Sequence, residues 1–276
     1  MKKASMKLPG SDVLIPALIL LLILLFSVAA PVISPYDPIR VDMQSCLRPP
    51  SSRHFLGTDV LGRDVFSRIL YGGRISILVA MAATALSMLL GFIIGVVSGY
   101  FGGRIDGIVF VVTNMFQGLP GTSLMIAVAG VLGPGVKSLV LALVLTSWTD
   151  FSRVVRGEVL KLREENYVEG VKSIGASSVY IIFRHILPNM MGTIIVLFTA
   201  KIGRVILSIA ALSFIGLGLQ PPAPDWGVMI SDARDYFRSF PHLIVAPGLC
   251  ILMLALSINL LGDALRDRSY NEENKS

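Results

Sequence analysis

The stretch ISILVAMAATALSMLLGFIIGVVSG, residues 75–99, decides the fold because no charged side chain interrupts it. A helix of about 20 apolar residues crosses the roughly 30 Å hydrocarbon layer of a membrane. The stretch lacks the in–out alternation of a barrel strand, so a helix is the structure that satisfies its backbone in lipid. Comparable apolar runs occupy residues 13–33, 106–132, 136–154, 190–218 and 243–262. The sequence therefore predicts an all-α integral membrane protein with six transmembrane helices.

The composition supports this class, with 54% hydrophobic and only 15% charged residues and a mean hydropathy of +0.74. A soluble domain carries about 25% charged residues. The net charge of +6 comes from basic residues between apolar runs, a pattern that orients membrane proteins, so we expect lipid rather than nucleic acid as a partner. Cys46 and Cys250 form no disulfide framework, and the scattered histidines show no metal-ligand spacing.

The apolar and polar segments divide the chain into five parts. We expect residues 1–12 to be a cytoplasmic N-terminus and residues 13–33 the first transmembrane helix. A cleaved signal peptide ending at Ala30 is the alternative, but this apolar run is longer than the usual 7–15 residues. The remaining parts are an external loop at 34–74 that ends in an interfacial amphipathic helix, Asp64 to Tyr71; a transmembrane core at 75–265; and a cytoplasmic tail at 266–276.

The orientation follows from the basic segments. With the N-terminus in the cytoplasm, the basic 153–189 segment and the tail with Arg266 and Arg268 also lie inside, as the positive-inside rule favours. The 34–74 loop opposes this orientation, because it places six arginines outside with four aspartates among them. We predict that both termini are cytoplasmic.

The 153–189 segment is the most informative polar part of the chain. Its basic and acidic start predicts an extension of the fourth span. A short helix from Tyr167 to Ile174 should end at Gly175, a residue typical of helix C-termini. A second helix, Ser178 to Ile186, should stop before Pro188. Two short helices joined by a glycine turn would form a rigid lever that can press on another protein.

The same segment carries a family resemblance. Glu169-Gly170-Val171, Gly175 and Leu187-Pro188 resemble the cytoplasmic signature of ATP-binding-cassette importer permeases, with Gly170, Val171 and His185 departing from the common residues. The ending His185 to Asn189 resembles the peptide and nickel branch of that family. Four further blocks match the same branch: HFLGTDVLGRDVFSRILYGGRIS at 54–76, LSFIGLGLQPP at 212–222, DWGVMI at 225–230 and LLGDALRD at 260–267.

The resemblance implies a type I importer fold and several partners. These are a homologous second permease, two ATP-binding subunits and an extracytoplasmic solute-binding protein in a bacterial cytoplasmic membrane. The chain has no GxxxxGK[ST] phosphate loop, so ATP and Mg should bind the partner subunits and this chain should be non-catalytic with no cofactor of its own. The resemblance assigns coupling to the ATPase to Glu169, Gly170, Gly175, Ala176, Ser177, His185 and Pro188.

Two other groups of residues are candidates for transport. Lys201 and Arg204 are cations inside the fifth apolar run, and Asn114 with Gln117 belongs to a polar stripe in the third. These four are candidates for the translocation pathway, although the cations could instead pair with a partner carboxylate or reach toward water, and the stripe could face the partner permease. An external gate or a binding-protein contact is expected at Asp59, Arg63, Asp64, Pro221 and Trp226, with ordinary structured loops as the alternative.

Rival functions lack their usual residues. A stand-alone secondary transporter or channel would need intramembrane carboxylates or paired broken helices. A membrane-embedded hydrolase would need a nucleophile–base pair or a metal motif such as HExxH. The substrate stays open among dipeptides, oligopeptides, nickel and metal–opine chelates.

Overall fold

The computed structural model describes residues 11–273, so nearly all of the predicted segment 1–12 lies outside the described residues. Residues 11–273 contain helices and loops but no β-strand, which confirms the all-α class. The α-helices are α1 (Ser11–Ile33), α2 (Val65–Phe101), α3 (Gly103–Gln117), α4 (Gly121–Leu132), α5 (Val136–Arg163), α6 (Asn166–Ser173), α7 (Ser178–Ile181), α8 (Leu187–Phe214), α9 (Trp226–Ala233) and α10 (His242–Glu273).

Within the described residues, five helical stretches are long and apolar enough to cross a membrane. They are α1, α2, α5, the continuous helix from Ser178 to Phe214, and α10. The third predicted span, 106–132, is instead a broken pair, because α3 and α4 meet at an angle of 88°. Gly118 and Pro120 lie at this break, and a proline cannot continue the hydrogen-bond ladder of α3.

The interfacial amphipathic helix expected at Asp64–Tyr71 was wrong. These residues form the start of α2, which runs unbroken from Val65 to Phe101. Asp64 is the N-cap, and its side chain accepts a hydrogen bond from the Ser67 backbone N–H. Ser67, Arg68 and Leu70 are buried. The pattern was misjudged because the polar side of this turn packs against other loops of the same chain rather than against water.

The helix stop expected before Pro188 was also wrong. A π-helical turn, Ile182–Ile186, joins α7 to α8, and the chain continues through the proline as one helix. The wider turn accommodates a residue that lacks a backbone N–H. The Asn189 side chain donates a hydrogen bond to the His185 carbonyl at 2.5 Å. The lever is therefore continuous with the fifth span.

Three glycines bring α2 and α5 into close contact. Gly91, Gly95 and Gly99 recur every four residues, and an added Cβ at Gly91 would lie 2.5 Å from the Trp148 carbonyl oxygen. Small residues at this spacing let membrane helices pack backbone to backbone. Because the contacts advance along both helices in the same direction, α2 and α5 are parallel. This packing connects α2 to the extension of the fourth span, which ends at Arg163.

The loops group at two opposite ends of the helices. At one end the Gly135 N–H donates a hydrogen bond to the Gly218 carbonyl, and Arg63 bonds to Asp232 at 2.9 Å. This end contains residues 34–64, 133–135 and 215–241. The turn at Gly102 and residues 164–186 lie at the other end. We name these the gate end and the coupling end.

Candidate functional site

The coupling end contains a short helix that is anchored on one side and exposed on the other. Val168 of α6 is 1% exposed and packs in a cluster with Val159 and Ile181. Glu169 and Gly170 are exposed on the opposite side. An amphipathic helix held in this way keeps a fixed position while it presents its polar face to a partner.

Gly175 ends α6 as the sequence predicts. Its φ is +87°, and its N–H donates to the Lys172 carbonyl while the Ala176 N–H donates to the Val171 carbonyl. These two bonds form a Schellman motif, which requires a left-handed residue and so favours glycine. Ser177 then caps α7 by accepting a hydrogen bond from the Tyr180 N–H.

His185 and Pro188 lie at the wide turn that joins the lever to α8. The His185 ring lies against Tyr167 and Tyr180, at centroid distances of 6.2 and 5.5 Å. The Asn189 amide also donates to the Tyr167 hydroxyl at 3.3 Å. Burial, with the Glu165 carboxylate nearby, raises the pKa of Tyr167, so this hydroxyl stays neutral. These contacts fasten α6 to the base of the fifth span.

An ion pair that sequence reasoning missed fixes the three helices at the coupling end. Arg156 of α5 makes two hydrogen bonds to Asp106 of α3, at 2.5 and 2.6 Å. The Ser98 hydroxyl of α2 donates to the same carboxylate at 2.5 Å. A bidentate arginine–carboxylate pair sets orientation as well as distance. No local sequence motif indicates this pair, because its members are 50 residues apart.

The gate end contains an ion-pair network of Asp59, Arg63, Arg68 and Asp232, which we name the external network. Arg63 bonds to Asp59 at 2.6 Å and to Asp232 at 2.9 Å, and its side chain is 1% exposed. The Arg68 Nε lies 3.5 Å from Asp59. Buried guanidinium groups require such partners, because an unpaired charge away from water is costly. The network fastens the 34–64 loop to α9.

Trp226 and two aspartates complete the gate end. The Trp226 indole N–H donates to the Ile69 carbonyl at 3.0 Å, and Asp64 contacts His54 at 2.9 Å. Asp225 caps α9 and accepts a hydrogen bond from Ser76 at 2.8 Å. Burial raises the pKa of Asp225, and its hydrogen bonds oppose that shift.

Four of the five predicted gate residues are thus buried and hold the surrounding loops in place. Asp59, Arg63, Asp64 and Trp226 are at most 9% exposed, whereas Pro221 is exposed. A soluble partner would have to touch other residues of these loops. The role of the five at an external gate stays a prediction.

The candidate pathway residues do not share one environment. Lys201 is 7% exposed and its ammonium contacts the Asp150 carboxylate, a partner within the same chain that the sequence did not reveal. Arg204 is exposed although it is only one turn away. Asn114 is exposed on α3. The Gln117 amide is buried beside the α3–α4 break without a hydrogen-bond partner among the described residues.

Comparison with known proteins identifies the family to which the chain belongs. Residues 87–270 match the family described as the binding-protein-dependent transport system inner membrane component. The chain belongs to this family. It is 41% identical over 251 residues to the glutathione transport system permease protein GsiD of Pectobacterium atrosepticum, covering 91% of this chain and 83% of that protein. The GsiD protein of Escherichia coli O157:H7 is 40% identical over 252 residues, with the same coverage.

Solved structures show the same fold at low sequence identity. An amino acid ABC transporter crystallised with histidines has a TM-score of 0.57 and 14% identity, covering 74% of this chain and 94% of that one. The inward-facing MetNI methionine ABC transporter has a TM-score of 0.54 and 18% identity, covering 69% and 93%. The chain therefore has the type I importer permease fold, and the resemblance to importer permeases is confirmed.

Family membership fixes several properties of this permease. It is a non-catalytic, multi-pass subunit of an ATP-binding-cassette importer, and ATP hydrolysis takes place on separate subunits. The fold implies ATPase partners and a permease partner, and the family is consistent with the inner membrane. The alternative of a stand-alone secondary transporter or channel is therefore wrong.

Proposed function

We propose that this permease forms, with a homologous but distinct second permease, the pathway for a peptide-like solute delivered by an extracytoplasmic binding protein. Two ATP-binding subunits would dock on the coupling end and supply the energy, with ATP and Mg bound there and no cofactor on this chain. The relatives named as glutathione permeases support a peptide-like cargo. Nickel and metal–opine chelates remain the second class of cargo in this branch.

One observation carries the coupling role. The exposed face of α6 is anchored through Val168 to α5, and α7 continues through the π-helical turn into α8 without a break. A displacement of α6 by the ATPase would therefore move two spans as rigid bodies. Glu169, Gly170, Ala176 and Ser177 would form the surface that enters the ATPase, while Gly175, His185 and Pro188 set the turn.

The orientation follows from that assignment. The coupling end would face the cytoplasm, which places both termini inside and the gate end outside. The basic residues of the 153–189 segment support this direction. The external network would hold the 34–64 loop and α9 as one rigid cover, and its exposed surface would meet the binding protein.

The experiment replaces Gly175 by proline in the complete transporter. Proline cannot adopt a φ of +87° and lacks the N–H that bonds to Lys172. We expect solute uptake in proteoliposomes to fall at least about tenfold, because a misplacement of about 1 Å can cost that much or more, while the subunit still assembles.

The matched control is Gly192→Ala in α8, outside the surface assigned to the ATPase. An added Cβ at Gly192 meets nothing within 4 Å, and alanine favours a helix over glycine, so uptake should be retained. Normal uptake by an assembled Gly175→Pro transporter would reject the coupling role of this turn.

A further inference from the structure

Two neighbouring membrane-spanning helices carry a group of ionisable side chains. Asp150 belongs to α5, and Lys201 and Arg204 belong to α8. The Lys201 ammonium contacts one oxygen of Asp150, and the Lys201 side chain is 8% exposed. The lysine is thus buried against the carboxylate and presents little of its own surface to a solute.

The Asp150 carboxylate is only partly covered by Lys201. Its side chain is 43% exposed, and only one of its carboxylate oxygens contacts Lys201. Arg153 follows one turn later on the same face of α5 and is exposed, and Gly157, a further turn on, has nothing within 4 Å of an added Cβ. This face of α5 is therefore not packed against the described part of the chain.

Arg204 supplies the opposite charge nearby. It is exposed, and its guanidinium forms no ion pair with the side chains described for residues 13–267. Residues three apart on a helix have Cβ atoms about 5–6 Å apart. The Arg204 side chain therefore leaves the helix close to Lys201, the residue that contacts Asp150. A solute that spans the distance from Arg204 to Asp150 would contact the guanidinium and the carboxylate together.

Lipid is an unsuitable environment for this surface. Charged side chains inside a membrane span face a protein partner or a water-filled cavity, because exposure to hydrocarbon is expensive. Asp150 and Arg204 both lie within helices that are long and apolar enough to cross a membrane. An aqueous pathway beside α5 and α8 meets this requirement for both residues.

We propose that Asp150 and Arg204 form a recognition site for a zwitterionic solute, in which Asp150 accepts hydrogen bonds from an ammonium group and Arg204 donates to a carboxylate. Lys201 is a positioning residue that fixes the Asp150 carboxylate. The site rests on the proposed function, which it deepens by naming the substrate chemistry. An unmodified peptide carries both groups, and the guanidinium fork matches a carboxylate in two parallel hydrogen bonds.

Other ligand classes fit this surface less well. A purely anionic solute would offer no donor to the free oxygen of Asp150, and an uncharged one would leave Arg204 without a charged partner. A bare metal ion would need a cluster of ligands, and the described residues contain no group of three or more that could hold one.

The experiment measures selectivity in proteoliposomes containing the complete transporter, with its binding protein on the gate side. The probes are a panel of di- and tripeptides, each in free, N-acetylated and C-amidated form. For Arg204→Gln we expect the uptake ratio of free to amidated peptide to fall about tenfold, the loss of one charge-assisted interaction. For Asp150→Asn the ratio of free to acetylated peptide should fall by a similar factor.

Matched variants separate recognition from stability. Lys137→Gln removes an exposed cation at the far end of α5, and Asp235→Asn removes an exposed carboxylate at the gate end, so neither should change a ratio. Lys201→Met should lower the ratio of free to acetylated peptide, and Lys201→Arg should retain it. Ratios do not depend on how much transporter folds.

Three results would overturn the site. Unchanged ratios in both Asp150→Asn and Arg204→Gln, with uptake intact or uniformly lowered, would show that these charges only hold the structure together. Loss of the second permease from Arg204→Gln with unchanged ratios would assign Arg204 to the subunit interface. If the wild-type transporter takes up no peptide of the panel, the proposed cargo is wrong and this site fails with it.

Discussion

The gate end and the coupling end differ in which of their side chains find a partner within the chain. At the gate end, the buried Arg63 finds both of its carboxylate partners within the same chain. At the coupling end, large apolar side chains stay uncovered, with Ile174 84%, Val179 65% and Phe183 65% exposed. Buried ion pairs hold the loops of the gate end together, whereas the exposed apolar side chains of the lever are available to a partner.

The difference shows where each end obtains its stability. Removing one member of a buried ion pair is costly. A substitution in the external network should therefore lower the stability of the isolated subunit. Uncovered apolar groups gain free energy only when a partner removes them from water. Substitutions at the two ends should therefore separate effects on unfolding from effects on assembly.

The largest effect on unfolding is expected for Arg63→Met. The substitution leaves Asp59 and Asp232 without their shared partner, and breaking a buried pair in this way costs about 3–5 kcal/mol. Since the Asp232 side chain is 25% exposed, we expect the lower part of that range. Thermal unfolding of the purified subunit in detergent should show the loss.

The comparison for that measurement is Arg234→Met, whose side chain is 66% exposed beside Asp235. An exposed ion pair contributes at most about 1 kcal/mol. Equal losses for the two variants would mean that the external network does not hold the gate end together.

A smaller effect is expected from Gly91→Ala, which tests the packing of α2 against α5. The added Cβ would lie 2.5 Å from the Trp148 carbonyl oxygen and 2.6 Å from the Phe151 Cβ. Backbone atoms cannot move aside cheaply, so overpacking should cost about 1–3 kcal/mol. Unfolding in detergent and the amount of subunit in the membrane report this cost.

Gly107→Ala in α3 is the control for that packing, because its added Cβ meets nothing within 4 Å. It should change stability by no more than about 0.5 kcal/mol. If Gly91→Ala is equally harmless, then α2 and α5 do not rely on backbone contact.

The sequence predicted the helices well and their breaks poorly. Apolar length alone placed the residues 75–99 in a span, because lipid allows few alternatives for such a run. The break between α3 and α4 was missed since Gly118 and Pro120 sit inside an otherwise apolar run. At Pro188 the same residue type predicted a break that a π-helical turn avoids. A proline restricts the backbone, but neighbouring hydrogen bonds decide how the chain accommodates it.

The candidate site was predictable only where its residues are close in sequence. The Schellman turn at Gly175 depends on a few consecutive residues, and its position was correct. The pairs Asp106–Arg156 and Lys201–Asp150 join residues 50 and 51 positions apart, and nothing local specifies them. The spacing of Gly91, Gly95 and Gly99 is a signal that could have been found, because small residues every four positions indicate close helix contact.

The smallest effect on unfolding, and the clearest effect on assembly, is expected from Ile174→Ala. The side chain is 84% exposed, so its truncation should change the stability of the isolated subunit by no more than about 0.5 kcal/mol. If an ATPase subunit covers it, the loss of part of the about 1.5–3 kcal/mol gained by burying an isoleucine should weaken assembly about tenfold. Titration of the purified permease pair with ATPase subunits measures this affinity.

The control for Ile174→Ala is Val131→Ala, because Val131 is 88% exposed at the opposite end of the molecule and should leave the affinity unchanged. Equal affinities for both variants would mean that the uncovered apolar surface of the coupling end is not where the motor binds, and the contrast between the two ends would then need another explanation.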